Sequence, residues 1–184
     1  MAWLADIKER FFRRQLAEEK AKMPTGKAKR LHPDTVSEIT ILFPADSAED
    51  RKAVDKWRDA FQKPGRKIKA LGYFANEVGA ASFDFITVSV KDLNWYGVPK
   101  GEEIDKFRAT TTELLIRIGP VKHPVLDYLA ATKPAALKVG PYTNETENPY
   151  HLQFDGQQAL KPKEQFAAIA KIFTYTNATA PSPV

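Results

Sequence analysis

The chain has 184 residues, a hydrophobic content of 43%, three Trp, eleven Phe and no Cys. That length buries a core without metal or disulfide support and makes one domain the expectation, while the missing thiols exclude disulfides, thiolate catalysis and Cys-ligated zinc. The net charge of +5 is localised: residues 1–30 hold nine Lys and Arg against four Asp and Glu, and the rest of the chain has nineteen of each, so a neutral body carries a basic arm suited to an anionic target.

Residues 1–24 form that arm. From Trp3 to Lys22 the apolar positions recur at helical spacing: Trp3, Leu4, Ile7 and Phe11 share one face, and Phe12 and Leu16 extend it sideways. Arg10, Arg13, Arg14, Lys8 and Lys20 occupy much of the remainder. Charges interrupt every apolar stretch here, so neither a secretory signal nor a membrane span of about 18 or more residues is expected. The expected location is cytoplasmic, at most peripheral to the inner membrane. The apolar face has two destinations: this protein's own globule or a second copy, or else a membrane, RNA or protein partner. Residues 25–35, with two Pro and a Gly near them, read as a linker.

Strands and helices then alternate over residues 36–176. "EITILFP" (38–44) suits a buried strand, and "DSAEDRKAVDKWRDAFQ" an amphipathic helix capped by Asp46 or Ser47, with Val54, Trp57 and Phe61 inward. "KIKALGYF" and "FDFITVSV" are the second and third strands, and a helix around Glu102–Arg108 precedes the fourth, "TELLIRIG". "HPVLDYLAAT" is a helix with Pro124 in its first turn, "ALKVGPY" and "YHLQFD" are short strands, and "KPKEQFAAIAKIFTYT" is a closing helix. Residues 177–184 are expected to be a disordered tail. This alternation predicts an α/β, Rossmann-like three-layer fold with a mostly parallel sheet, preceded by the N-terminal amphipathic helix. Ligands of such sheets sit beyond the carboxyl ends of the strands.

No glycine fingerprint follows the first strand and no P-loop occurs, so a dinucleotide or nucleoside triphosphate site is not expected; no cofactor and no metal are implied. His32, His123 and His151 have no second ligand at metal spacing. Weaker constellations remain. In "FPADS" the Asp answers the helix start itself. "GPVKHP" sets Lys122 and His123 beside a helix start, where they form an anion or proton-donor site or a solvated turn. In "LKVGPY", Lys138 and Tyr142 are ligand contacts or edge residues whose stems run along the sheet. In "VSVKDLNWYGVPKG", Asp92, Asn94 and Trp95 leave a strand at its carboxyl end, where they stack on a ligand or close the end of the sheet. The expected division makes Trp95 structural, with Asp92 and Asn94 on the rim of a shallow pocket shared with Lys138 and Tyr142.

Taken in order, "ILFPADSAED", "ALGYF", "KDLNWYGVP", "ELLIRIG", "VLDYLAATKPAALKVGPY" and "HLQFD" resemble a family of small proteins typical of Bacteroidota that carries only a domain-of-unknown-function label. The resemblance spans nearly the whole chain and implies a cytoplasmic bacterial α/β protein with no assigned activity. Arg117 departs from the Asp or Asn with which members tend to end the fourth strand. A more distant pattern is similar to the N-terminal half of heptosyltransferase-like glycosyltransferases. The reading favoured by the residues is a non-catalytic binding or adaptor protein that docks through residues 1–30 on an anionic surface, membrane or RNA, or on a partner protein, with self-association also open. The alternative is a transferase or hydrolase acting on a phosphorylated or sugar substrate at the strand ends.

Overall fold

A computed structural model of the chain describes residues 2–23, 31, 33–78, 82–144, 148–158 and 160–176. His32, most of the 25–35 linker and the 177–184 tail, expected to be disordered, lie outside the described residues. Helix α1 covers Ala2–Ala21; β1 (Glu38–Pro44), α2 (Ala48–Phe61), β2 (Lys67–Phe74), β3 (Ile86–Ser89), α3 (Glu102–Ala109), β4 (Thr112–Arg117), α4 (Pro124–Thr132), β5 (Ala135–Pro141), β6 (Leu152–Phe154) and α5 (Pro162–Thr176) follow. All six strands are parallel, in the order β3-β2-β1-β4-β5-β6. This is the doubly wound order that reverses at β1, between β2 and β4, and the Rossmann-like α/β expectation holds.

Side-chain alternation along the strands sorts the core into two layers. Ile39, Ile41 and Phe43 of β1, Leu114 and Ile116 of β4, and Leu137 and Val139 of β5 face α2 and α5 with Val54, Phe166, Ile169 and Phe173. Trp57 stacks on Phe61 and Phe166 at 4.2 and 5.0 Å and joins those two helices. Leu42, Leu71 and Leu115 face the other way, toward Ile104 and Phe107 of α3 and Leu126 and Leu129 of α4. Both faces are covered, as a parallel sheet requires.

Ser47, not Asp46, caps α2: its hydroxyl accepts the amides of Glu49 and Asp50. Asp46 instead accepts the Ala75 amide and joins the ends of β1 and β2. The third strand is shorter than "FDFITVSV" suggests. The chain bends at Asp84 and Phe85, where Arg58 of α2 holds the Asp84 carboxylate at 2.7 Å. Phe85 then packs edge-on against Phe43, 5.1 Å away. Gly72 on β2 gives that ring its room, because a Cβ there would lie 2.6 Å from it.

Candidate functional site

The stretch from Val88 to Gly101 is a seat for α1. Ser89 donates its amide (2.7 Å) and hydroxyl (3.1 Å) to the Asp92 carboxylate, which closes a single 3-10 turn over Val90–Asp92. Asn94 Oδ1 then accepts the amides of Tyr96 (3.2 Å) and Val98 (2.9 Å), an Asx turn that Gly97 completes at φ +89°. Both polar side chains are thus occupied in shaping the loop. Trp95, expected to close the end of the sheet, is turned outward and is 56% exposed. The physical reason is the turn: Asn94 fixes the backbone so that Trp95 projects toward the arm.

The arm lies against this loop and α4. Phe11 packs on Trp95 and Tyr96 (ring centroids 5.2 and 5.8 Å), and Phe12 on Tyr128 of α4 (5.6 Å). Tyr96 donates its hydroxyl to Gln15, and Arg108 of α3 pairs with Glu19. Of the two destinations read from the sequence, the helix takes its own body with one face. Phe12, Leu16, Gln15 and Glu19 line that face. The other stripe, Trp3, Leu4, Ile7 and Phe11, spans a ~100° arc adjoining it; Trp3, Leu4 and Phe11 are exposed there. Arg10, Arg13 and Arg14 point to solvent, and Arg13 and Arg14 pair with Glu9 and Glu18 one turn away.

A second constellation sits at the carboxyl edge of the sheet, where β1, β2 and β4 end. Arg117 is fully buried. Its Nη1 donates to the Pro120 carbonyl, and its Nη2 lies 3.1 Å from Asp127 Oδ1. The same carboxylate accepts the Tyr150 hydroxyl at 2.7 Å and the His123 amide at 2.8 Å. One Asp on α4 thereby ties together β4, the segment before β6 and the start of its own helix. Burial, together with the Asp127 carboxylate its hydroxyl already serves, pushes the Tyr150 phenol well above its ordinary value and keeps it protonated.

His123 caps α4: its Nδ1 accepts the Leu126 amide at 3.3 Å, which fixes the neutral tautomer with the proton on Nε2. Burial and the Arg117 guanidinium hold the imidazole below its ordinary 6.5, against Asp127, which favours the charged form. Its ring meets the Tyr73 ring edge-on at 4.9 Å. Neither the Tyr73 hydroxyl nor His123 Nε2 has a hydrogen-bond partner among the described residues. Burial and then the nearby Asp46 raise the Tyr73 phenol. Arg117, Asp127, Tyr150 and Tyr73 escaped sequence reasoning as a group. The signal present was Arg117 itself, a permanent charge inside "LLIRIG", which requires a buried anion somewhere in the fold.

The remaining candidates stand apart. Lys138 on β5 is buried, with Nζ 3.3 Å from the Ala131 carbonyl of α4; burial and then Lys20 of the arm push it down to about 8. Tyr142, beyond β5, is 56% exposed, and Lys122 is exposed in the turn before His123. Three strands lie between β3 and β5, roughly 19 Å at the usual strand spacing. The sheet therefore does not bring Asp92, Asn94 and Trp95 into one pocket with Lys138 and Tyr142. Lys133, which sequence reasoning passed over, is buried where α3 ends, and its ammonium donates to the carbonyls of Phe107 and Thr110 and to the Thr110 hydroxyl. Burial lowers it to about 8, still protonated at neutral pH as those three acceptors require.

None of the described helices is long and apolar enough to cross a membrane. No curated protein and no solved structure gives a significant match. The α/β sheet, the 88–101 seat and the arm from Lys8 onward nonetheless fall within one continuous sequence pattern: residues 8–175 match a family of unknown function, DUF6913, and the chain belongs to that family.

Proposed function

We propose that the protein is a binding or adaptor protein that docks, through the outward stripe of α1 and the neighbouring Trp95, on an anionic lipid surface. The observation that carries this reading is the exposure of Trp3, Leu4 and Phe11 on a stripe of α1 that adjoins its occupied face, with the exposed Trp95 of the 88–101 loop packed on Phe11. A large exposed aromatic cluster flanked by arginines suits the interface of a bilayer with anionic headgroups. RNA fits less well, because Leu4 and Ile7 have no use on phosphate and Arg13 and Arg14 are already paired. On this reading the protein works at the cytoplasmic side of the inner membrane.

Co-sedimentation with phosphatidylglycerol vesicles tests it. Binding is expected to fall with added salt, to be weak on phosphatidylcholine, and to be lost in a Trp3→Ser, Phe11→Ser double variant. Equal binding to both lipids, or none, overturns the lipid partner.

A catalytic role has one specific observation behind it. The Tyr73 hydroxyl and His123 Nε2, which have no hydrogen-bond partner among the described residues, lie beside one another at the edge where such sheets bind ligands. The neutral imidazole, with its tautomer fixed, suits proton transfer to a sugar or phosphorylated substrate.

A further inference from the structure

Helix α1 rests on the body through a thin contact. None of residues 3–21 is buried, and even Phe12, Gln15, Leu16 and Glu19, which face the body, are only half-buried. On α4, by contrast, Leu126, Leu129 and Ala130 have no exposure at all. An element with so little apolar burial opens at a lower free energy than the sheet it lies outside.

The contact also strands polar groups. Tyr128 of α4 packs against Phe12 of α1, and its buried hydroxyl has no hydrogen-bond partner among the described residues. Burial pushes that phenol up to about 12, with Arg108 opposing and Glu19 of the arm adding to the shift. Arg108 of α3 pairs with Glu19, yet its Nε is buried and without a hydrogen-bond partner too. Burial and then the ammonium of Lys20 on α1 hold Lys138 of β5 down at about 8, so docking also brings two like charges within reach of each other. Lifting the helix relieves all three, because the stranded groups regain water and the two ammonium groups separate. The Phe12 ring, the Tyr96 hydroxyl on Gln15 and the Arg108–Glu19 pair hold it down.

We propose that α1 is a switch: on an anionic lipid surface it lifts off α4 and the 88–101 loop while the sheet stays folded, and Phe12 and Leu16 join Trp3, Leu4, Ile7 and Phe11 in the bilayer interface. The proposal rests on the lipid reading above. The outward stripe and Trp95 make the first contact, and release follows because the interface gives Phe12 and Leu16 a more apolar setting than their half-buried seat. The docked arm thereby restrains binding, since the apparent affinity is reduced in proportion to the fraction of molecules whose arm is open.

The test uses the full chain, with amide hydrogen exchange over residues 8–20 measured without lipid and affinity for phosphatidylglycerol vesicles measured beside it. Two variants on the body, outside the lipid-facing stripe of α1, move the arm in opposite directions. Tyr128→Phe removes the stranded hydroxyl and is expected to slow arm exchange about tenfold and to weaken vesicle binding by the same factor. Tyr96→Phe removes the hydroxyl that holds Gln15 and is expected to speed exchange and tighten binding, each about fivefold. Arm amides that exchange only together with those of the sheet, or variants that shift arm exchange while vesicle affinity stays at the wild-type value, overturn the switch and leave the lipid reading standing. A wild-type arm that opens in a protein that binds no vesicles overturns the lipid partner, and the switch falls with it. Where Tyr128→Phe fails to fold, Tyr96→Phe and the wild-type exchange data decide.

Discussion

A single arginine organises the polar chemistry inside this sheet. Arg117 has no exposure, so its charge depends on Asp127, and that carboxylate is shared with Tyr150 and the His123 amide. Removing one partner of a buried pair strands the other: Asp127→Ala is expected to cost about 3–5 kcal/mol in chemical denaturation. The double variant Arg117→Met, Asp127→Leu is expected to recover much of that loss, because an apolar pair leaves no stranded charge. The histidines set the acid side of stability. His123 Nδ1 accepts the Leu126 amide, and His151 Nδ1 accepts the Lys138 amide at 2.9 Å. Burial, with Arg117 at His123 and Lys138 at His151, holds both imidazoles below 6.5. A depressed histidine favours the neutral form in the fold, so its stabilisation is complete above the unfolded value of about 6.5 and lost as pH falls below it. The melting temperature is therefore expected to fall between pH 7 and pH 5, and His151→Gln to flatten that slope. An unchanged slope in the variant would place the acid sensitivity elsewhere.

At the level of elements, α1 and the 88–101 loop form one unit, though 79 residues separate Gln15 from Asn94. The loop holds its shape by Asp92 and Asn94, and the helix is held by Phe12, Gln15 and Glu19. Trp95→Ala is expected to cost less than about 1 kcal/mol, since a half-exposed ring has water to return to. Asn94→Ala leaves two turn amides without their acceptor and is expected to cost about 1–2 kcal/mol in the same denaturation experiment. That ranking is the reverse of what a sheet-closing tryptophan gives. Phe12→Ala, at the buried side of the helix, is expected to release α1 before the sheet unfolds, seen as early loss of amide protection over residues 8–20.

For the whole molecule, the sheet and the four helices on its faces carry the core, and α1 is added outside α4. Deletion of residues 2–23 is expected to leave cooperative unfolding and the parallel-sheet circular dichroism intact, with a lower melting temperature from uncovering Tyr128 and Arg108. Non-cooperative melting of the truncated chain would make the arm part of the folding unit. The positions of strands and helices were legible in the sequence because each depends on local periodicity: continuous apolar runs such as "ITILF" for strands buried on both faces, and spaced apolar residues between caps for helices. The shortened third strand was not, because its start is set by Arg58 holding Asp84 from another element. The clustering of Tyr73, His123, Arg117, Asp127 and Tyr150 was not legible either. Those residues span 78 positions in sequence, and only the strand order brings them to one edge.

By itself the sequence determined the fold class, the basic amphipathic arm and the missing nucleotide fingerprints, since composition, period and glycine spacing are properties of the chain read along its length. The tertiary structure alone decided which face of α1 is covered, that Trp95 points outward and which carboxylate answers Arg117. Each of these is a pairing between segments distant in sequence, and such pairings are chosen by packing geometry and the desolvation of polar groups, neither of which leaves a periodic trace in the chain.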